Sequence, residues 1–191
     1  MTTGLRPAAF LDRDGVVNVE RDYVYRIEDF ELLPGVIDAL VTLQRAGYAL
    51  VVVTNQGGIG LGKYQESDLQ RLHHHLRAEL AGAGVRLDGI YHCPHHPRSE
   101  RPEMRGPCDC RKPAPGMILQ AARDLALDLP NSFLAGDKVG DVAAGRAAGV
   151  GQNYLVRSGH RLSVQDMALA DGVFHDLADL VHHHIVPRAP A

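Results

Sequence analysis

The chain has 191 residues, 45% hydrophobic and 23% charged, with a formal net charge of −3 and three cysteines. Such a length closes one sizeable core, and the near-neutral balance gives no general reason to bind nucleic acid or an anionic membrane. Three clustered cysteines are too few for a disulfide framework and more often mean metal.

The first element is AAFLD (8–12), an apolar run that ends on charge. Carboxylates are poor strand formers and costly to bury, so a strand stopping on Asp12-Arg13-Asp14-Gly15 places charge at its carboxyl end. PGVIDALVTLQRAG (34–47) opens with Pro34 and closes on Gly47, start and stop signals for a helix. YALVVVTN (48–55) reads as a strand, ESDLQRLHHHLRAELAGAG (66–84) as a helix and GIYHC (89–93) as a strand. APGMILQAARDLAL (114–127) is helical, SFLAGD (132–137) a strand and VGDVAAGRAAG (139–149) a shorter helix; NYLV (153–156) and GVFHD (172–176) are the last strands. Apolar strands separated by helices imply a parallel sheet covered on both faces, an open doubly wound, Rossmann-like α/β domain. One domain is expected over 1–191, since no linker, repeat or low-complexity tract divides it. The segment between Asp14 and Tyr48 is too short for a separate cap domain, so the site should be open.

Ligands of such folds sit beyond the carboxyl ends of the strands. Asp12 and Asp14 end the first strand, Thr54 and Asn55 the second, and Asp137 the fourth, with Lys138 and Asp141 just beyond and Lys112 ahead of the preceding helix. Three acidic groups, a hydroxyl and a lysine on one rim suit phosphate chemistry, with carboxylates and backbone oxygen for Mg²⁺. All three cysteines fall in CPHHPRSERPEMRGPCDCRKP (93–113), a loop too polar to fold alone. Cys93, His95, Cys108 and Cys110 would close a tetrahedral structural Zn²⁺ site that staples the loop over 93–110; His92 or His96 could replace His95, and unliganded thiols are the alternative. GGIGLGKY (57–64) satisfies GxxxxGK after a strand and before a helix, but Tyr64 stands where a nucleotide-binding loop needs Ser or Thr. Its glycines then serve a tight turn or close approach to phosphate. His73-His74-His75 lies in a helix, where successive side chains splay by about 100 degrees and cannot share one metal; His182-His183-His184 reads as a helix end.

In DRDG, TNQ, RKPAPG and GDKVGD the chain resembles the haloacid dehalogenase-like phosphatases over nearly its whole length. The resemblance implies Asp12 as nucleophile, taking up the phosphoryl group as an aspartyl-phosphate, and Asp14 as general acid and then base. It implies Mg²⁺ on Asp12, the main-chain carbonyl of Asp14 and Asp137, with Thr54 and Lys112 gripping the transferred oxygens. Asp141 would order the metal's waters or Lys112. With CPHHP and CDCRKP the chain looks like the D-glycero-D-manno-heptose 1,7-bisphosphate 7-phosphatases, with histidinol-phosphate phosphatases as near relatives. That likeness implies removal of the C7 phosphate, a step toward the nucleotide-activated heptose of surface polysaccharide. Substrate would be bound by Glu20, Arg21, Asp22, Tyr23, Asn55, Gln56, Gly57, Arg111 and Lys138. The chain departs from the family's TNQSGIARG at Gly57 and Leu61, and from the superfamily's Thr after DxDG at Val16. A monomer acting on a small phosphorylated sugar is expected, with neither nucleic acid nor membrane as partner. No apolar run reaches about 18 residues, and MTTGLRPAAF lacks a basic-then-apolar leader, so a cytoplasmic setting is expected.

Overall fold

The computed structural model describes residues 4–185, with side chains to His183. Residues 1–3 and 186–191 of the expected domain, and the side chain of His184, lie outside the described residues.

Six strands, Ala8–Leu11 (β1), Ala49–Asn55 (β2), Gly89–Cys93 (β3), Phe133–Gly136 (β4), Gln152–Val156 (β5) and Gly172–Phe174 (β6), form one parallel sheet in the order β3-β2-β1-β4-β5-β6. β1 pairs with β2 on one side and β4 on the other, so the strand order reverses at β1 and a crevice opens at its carboxyl end. Alternation along β1 sends Ala8 and Phe10 into one core and Ala9 and Leu11 into the other. Val36–Arg45 (α1) and Glu66–Gly82 (α2) cover one face, with Leu40, Leu43, Leu76 and Leu80 against Leu50 and Val52. Pro102–Arg105 (α3) is a single turn in the cysteine-rich loop. Gly116–Leu125 (α4) and Val139–Ala148 (α5) cover the other face through Met117, Ile118, Ala121 and Ala144. This two-sided burial is why the strands carry nearly continuous apolar runs.

Two expectations change. Helix α1 begins at Val36 rather than at Pro34, because Gly35 has φ 73, a left-handed conformation that the helix cannot include. The one-turn helices α3 and Val164–Met167 (α6) were not anticipated, being too short to show a period, whereas Leu177–Leu180 (α7) runs on through a π-helical turn at Val181–Ile185, where a helix end was expected. Between β1 and α1 the chain holds only the 3₁₀ turn Ile27–Asp29 and isolated bridges from Asn18 to Asp14 and to Leu32, so no cap domain is inserted there. Among the described residues no helix is long and apolar enough to cross a membrane.

Candidate active site

Asp12 leaves β1 at the crevice, where a cavity of about 380 Å³ opens between the ends of β1, β2 and β4. Its Oδ1 accepts the backbone N–H of Arg13 (2.8 Å) and lies 3.0 Å from Lys112 Nζ. Burial pushes the Asp12 carboxyl up to about 6, with Lys112 pulling against it. The Lys112 ammonium also donates to Val53 O (2.7 Å) and meets Asp141 Oδ1 (2.5 Å). Burial alone would lower its pKa, but Asp12 and Asp141 outweigh it and hold the lysine above its ordinary value.

Asp14 lines the same cavity as Asp12. Arg13 is fully buried, donating through Nη2 to both Asp14 oxygens (2.9 and 3.0 Å) and to Val24 O. Asn18 Nδ2 and Gln56 Nε2 add bonds to Asp14 of 3.0 Å each. Burial raises the Asp14 pKa, yet Arg13, Asn18 and Gln56 together hold it below the ordinary carboxylate value. At rest this carboxyl is ionised, and a proton taken up there would have to compete with those donors.

Asp137 ends β4 with no exposed surface. Its Oδ2 accepts from His160 N (3.0 Å) and contacts His160 Nδ1 (2.6 Å), whereas buried Oδ1 has no hydrogen-bond partner. The nearest cationic group to that oxygen is Lys138 Nζ at 3.9 Å, too far for a hydrogen bond, so the oxygen stays costly to bury unless a closer cation meets it. Carboxylate oxygens of Asp12, Asp137 and Asp141 lie within 4.8 Å of one another, so the donor set fits a hard divalent cation. Both Asp141 oxygens are engaged, Oδ1 by Lys112 and Oδ2 by the N–H of Lys138 at the start of α5, in keeping with an ordering role. Gly15, at φ 84, answers why DRD ends in glycine: a Cβ there would lie 2.7 Å from Asp137 Oδ2 and 2.8 Å from Gly159 Cα.

Glu20, Asp22, Tyr23, Thr54, Gly57, Arg111 and Lys138 line the cavity as expected. Arg21 does not: it pairs with Glu31 and reaches Asp29 O (3.4 Å). Asp22 and Tyr23, at φ 46 and 58, leave the extended path, which lets these two consecutive residues both line the cavity. Asn55 and Gln56 border the cavity but spend their amides on the protein. Asn55 exchanges two 3.0 Å bonds with the Lys112 backbone, and Gln56 serves Asp14 and Thr54. A Cβ on Gly57 would fall 2.8 Å from His96 and 3.1 Å from Arg111, so this departure makes room for both. His96, His160 and Tyr64 also border the cavity and were missed as site residues. Tyr64 was weighed only as the defect of a nucleotide-binding loop; the RSGH run ahead of Arg161 was a faint signal for His160.

Donor atoms of Cys93, His95, Cys108 and Cys110 also converge within 4.8 Å. Cys93 Sγ lies 3.7 Å from Cys108 Sγ and 3.5 Å from His95 Nδ1, near the edges of a tetrahedron about a metal with roughly 2.3 Å bonds to sulfur, whereas Cys110 Sγ sits closer, 3.0 Å from Cys93 Sγ and 3.2 Å from His95 Nδ1. His92 instead pairs with Glu66 (2.8 Å). Arg111 Nη1 donates to His95 O (2.9 Å), tying the cluster to the cavity wall.

A parallel sheet with these acidic and basic groups at one rim defines a haloacid dehalogenase-like hydrolase, and the HAD-hydrolase-like family matches residues 109–180. The D-glycero-beta-D-manno-heptose-1,7-bisphosphate 7-phosphatase of Photorhabdus laumondii subsp. laumondii is 46% identical over 180 residues, 94% of this chain and 95% of its own. The enzyme of the same name from Escherichia coli (strain K12) is 49% identical over 174 residues, 91% of each chain. The crystal structure of D,D-heptose 1,7-bisphosphate phosphatase from B. bronchiseptica, complexed with magnesium and phosphate, matches with a TM-score of 0.81 at 32% identity over 95% of this chain and 99% of that one. The chain belongs to the D-glycero-beta-D-manno-heptose-1,7-bisphosphate 7-phosphatase family.

Proposed function

We propose that the protein is a Mg²⁺-dependent phosphatase that removes the C7 phosphate of D-glycero-D-manno-heptose 1,7-bisphosphate, leaving heptose 1-phosphate. The observation that carries the mechanism is Asp12, held 3.0 Å from the Lys112 ammonium on a cavity wall shared with Asp14. Asp12 attacks phosphorus, the bond to the C7 oxygen breaks, and Asp14 gives the departing oxygen its proton. Water then attacks the aspartyl-phosphate, Asp14 takes its proton, and inorganic phosphate leaves with Asp12 restored. Lys112 and the Thr54 hydroxyl grip the transferred oxygens, where charge develops. Asp12, Asp137 and the Asp14 carbonyl would hold Mg²⁺, which when bound neutralises phosphate charge. The magnesium and phosphate in the B. bronchiseptica relative support this reading.

Cys93, His95, Cys108 and Cys110 would hold a closed, structural Zn²⁺. Freshly purified protein, made under reducing and zinc-replete conditions, is expected to carry about one zinc per chain while turnover still requires added Mg²⁺. Cys108→Ser should lower the melting temperature before it alters kcat. Metal analysis finding no zinc would refute the assignment.

Arg111 would hold the second, non-reacting phosphate. Nη1 is engaged by His95 O, which leaves the other guanidinium N–H groups for a ligand, and Arg111 lines a cavity that Lys138 also borders. Losing one charge-assisted bond costs about 1.5 to 3 kcal/mol, so Arg111→Ala should lower kcat/KM for the bisphosphate roughly ten- to over a hundredfold. A matched monophosphate should lose much less. Equal losses would place Arg111 at the reacting phosphate or in the fold. Phosphate release from the bisphosphate, the monophosphate and histidinol phosphate, each with Mg²⁺, tests the substrate; preference for histidinol phosphate would overturn it.

A further inference from the structure

Tyr64, which spoils the nucleotide-binding pattern, sits 5% exposed in the cavity wall. Its ring stacks on Tyr25 (4.8 Å, 8°) beneath Gly58, where a Cβ would strike the ring at 2.1 Å. The hydroxyl donates to Gln56 Oε1 at 2.6 Å. Burial raises the phenol's pKa, so it remains a donor. The Gln56 amide nitrogen has two N–H groups, one directed to Asp14 Oδ2 (3.0 Å) and one to Thr54 Oγ1 (2.8 Å). Flipping the amide would set its carbonyl against the Asp14 carboxylate, acceptor against acceptor, and leave the Tyr64 hydroxyl facing N–H. Since Thr54 Oγ1 accepts from Gln56, its own O–H is left for a phosphoryl oxygen in the cavity.

We propose that Tyr64 is a positioning residue for phosphoryl transfer: its hydroxyl locks the Gln56 amide in the one orientation that aims the Thr54 proton into the cavity and steadies Asp14. This rests on the phosphatase reading above. Without the hydroxyl the amide keeps only its bonds to Asp14 and Thr54 and is held less firmly, so the Thr54 donor is aimed less well when charge develops on the phosphoryl group. The loss therefore falls on kcat.

The test is a cycle of Tyr64→Phe, Gln56→Leu and the double variant, assayed with Mg²⁺ on heptose 1,7-bisphosphate and on an aryl phosphate. Tyr64→Phe keeps the ring and its stack. It should lower kcat about three- to tenfold with KM within about twofold, and cause no further loss in the Gln56→Leu background. The Gln56 side-chain amide resonances, assigned by their absence in Gln56→Leu, should shift in Tyr64→Phe. Equal losses in both backgrounds, a loss confined to KM, or unshifted resonances would overturn the proposal. Wild-type protein that releases phosphate from neither ester would sink the phosphatase reading instead, and the amide resonances would still decide whether Tyr64 locks Gln56.

Discussion

Asp12→Asn is expected to abolish steady-state phosphate release, lowering kcat by more than about 10⁴-fold, in a protein that still folds. The structural half of that expectation follows from which oxygen is engaged. Arg13 N–H and Lys112 Nζ both meet Oδ1, and an asparagine carbonyl oxygen can accept from both. Lys112 also keeps Asp141 and Val53 O. The substitution removes a carboxylate whose burial already opposes ionisation, so the melting temperature should change little. The chemical half is that a neutral amide is too weak a nucleophile to form a stable acyl-phosphate. Intact-mass analysis after rapid mixing with substrate should show no phosphorylated chain. Appreciable turnover in protein free of wild-type contamination would remove Asp12 from the nucleophile's role.

The strands were legible because both faces of the sheet are covered: Leu50, Val51, Val52 and Val53 are all fully buried, and a continuous apolar run has few other readings. The rim residues were legible because charge at the end of such a run is costly without a purpose. Donor spacing likewise marked the cysteine cluster. What stayed hidden was long-range or angular. His160 meets Asp137 across 23 positions, and nothing near either residue announces the pairing. Arg13 was given no role between two site residues, yet it is wholly buried against Asp14, His73 and Val24 O in the following loop. Arg21 was grouped with its neighbours, whereas it turns away to pair with Glu31, ten positions on. Asn55 and Gln56 were read as substrate contacts from the motif, whereas only coordinates show that their amides hold Lys112, Asp14 and Thr54.

Lys112→Met should damage activity and stability together, and the two can be separated. For activity, the variant lacks the ammonium beside the Asp12 carboxylate, and kcat/KM should fall by about 10² to 10³. For stability, Asp12 and Asp141 are left buried without the cation between them. Removing one partner of a buried ion pair costs about 3–5 kcal/mol, or roughly 6–20 °C in melting temperature for a chain of this size. The deficit should depend on pH in a definite direction. Burial and Asp141 push the Asp12 carboxyl above its ordinary value, and Lys112 is the largest influence opposing them. Without the lysine the folded-state value rises further, while the unfolded value stays near 3.8. A group raised on folding contributes stability fully present below its unfolded pKa and lost as pH rises through the folded one. Without Mg²⁺, the melting deficit of Lys112→Met should therefore narrow as pH is lowered from about 8 to about 5. Adding Asp141→Asn removes the second carboxylate but keeps an oxygen for the Lys138 N–H. That double variant should regain part of the lost stability and none of the lost activity. A pH-independent deficit, or a double variant no more stable than Lys112→Met, would show that Lys112 supports the fold through packing and its bond to Val53 rather than by neutralising the paired carboxylates.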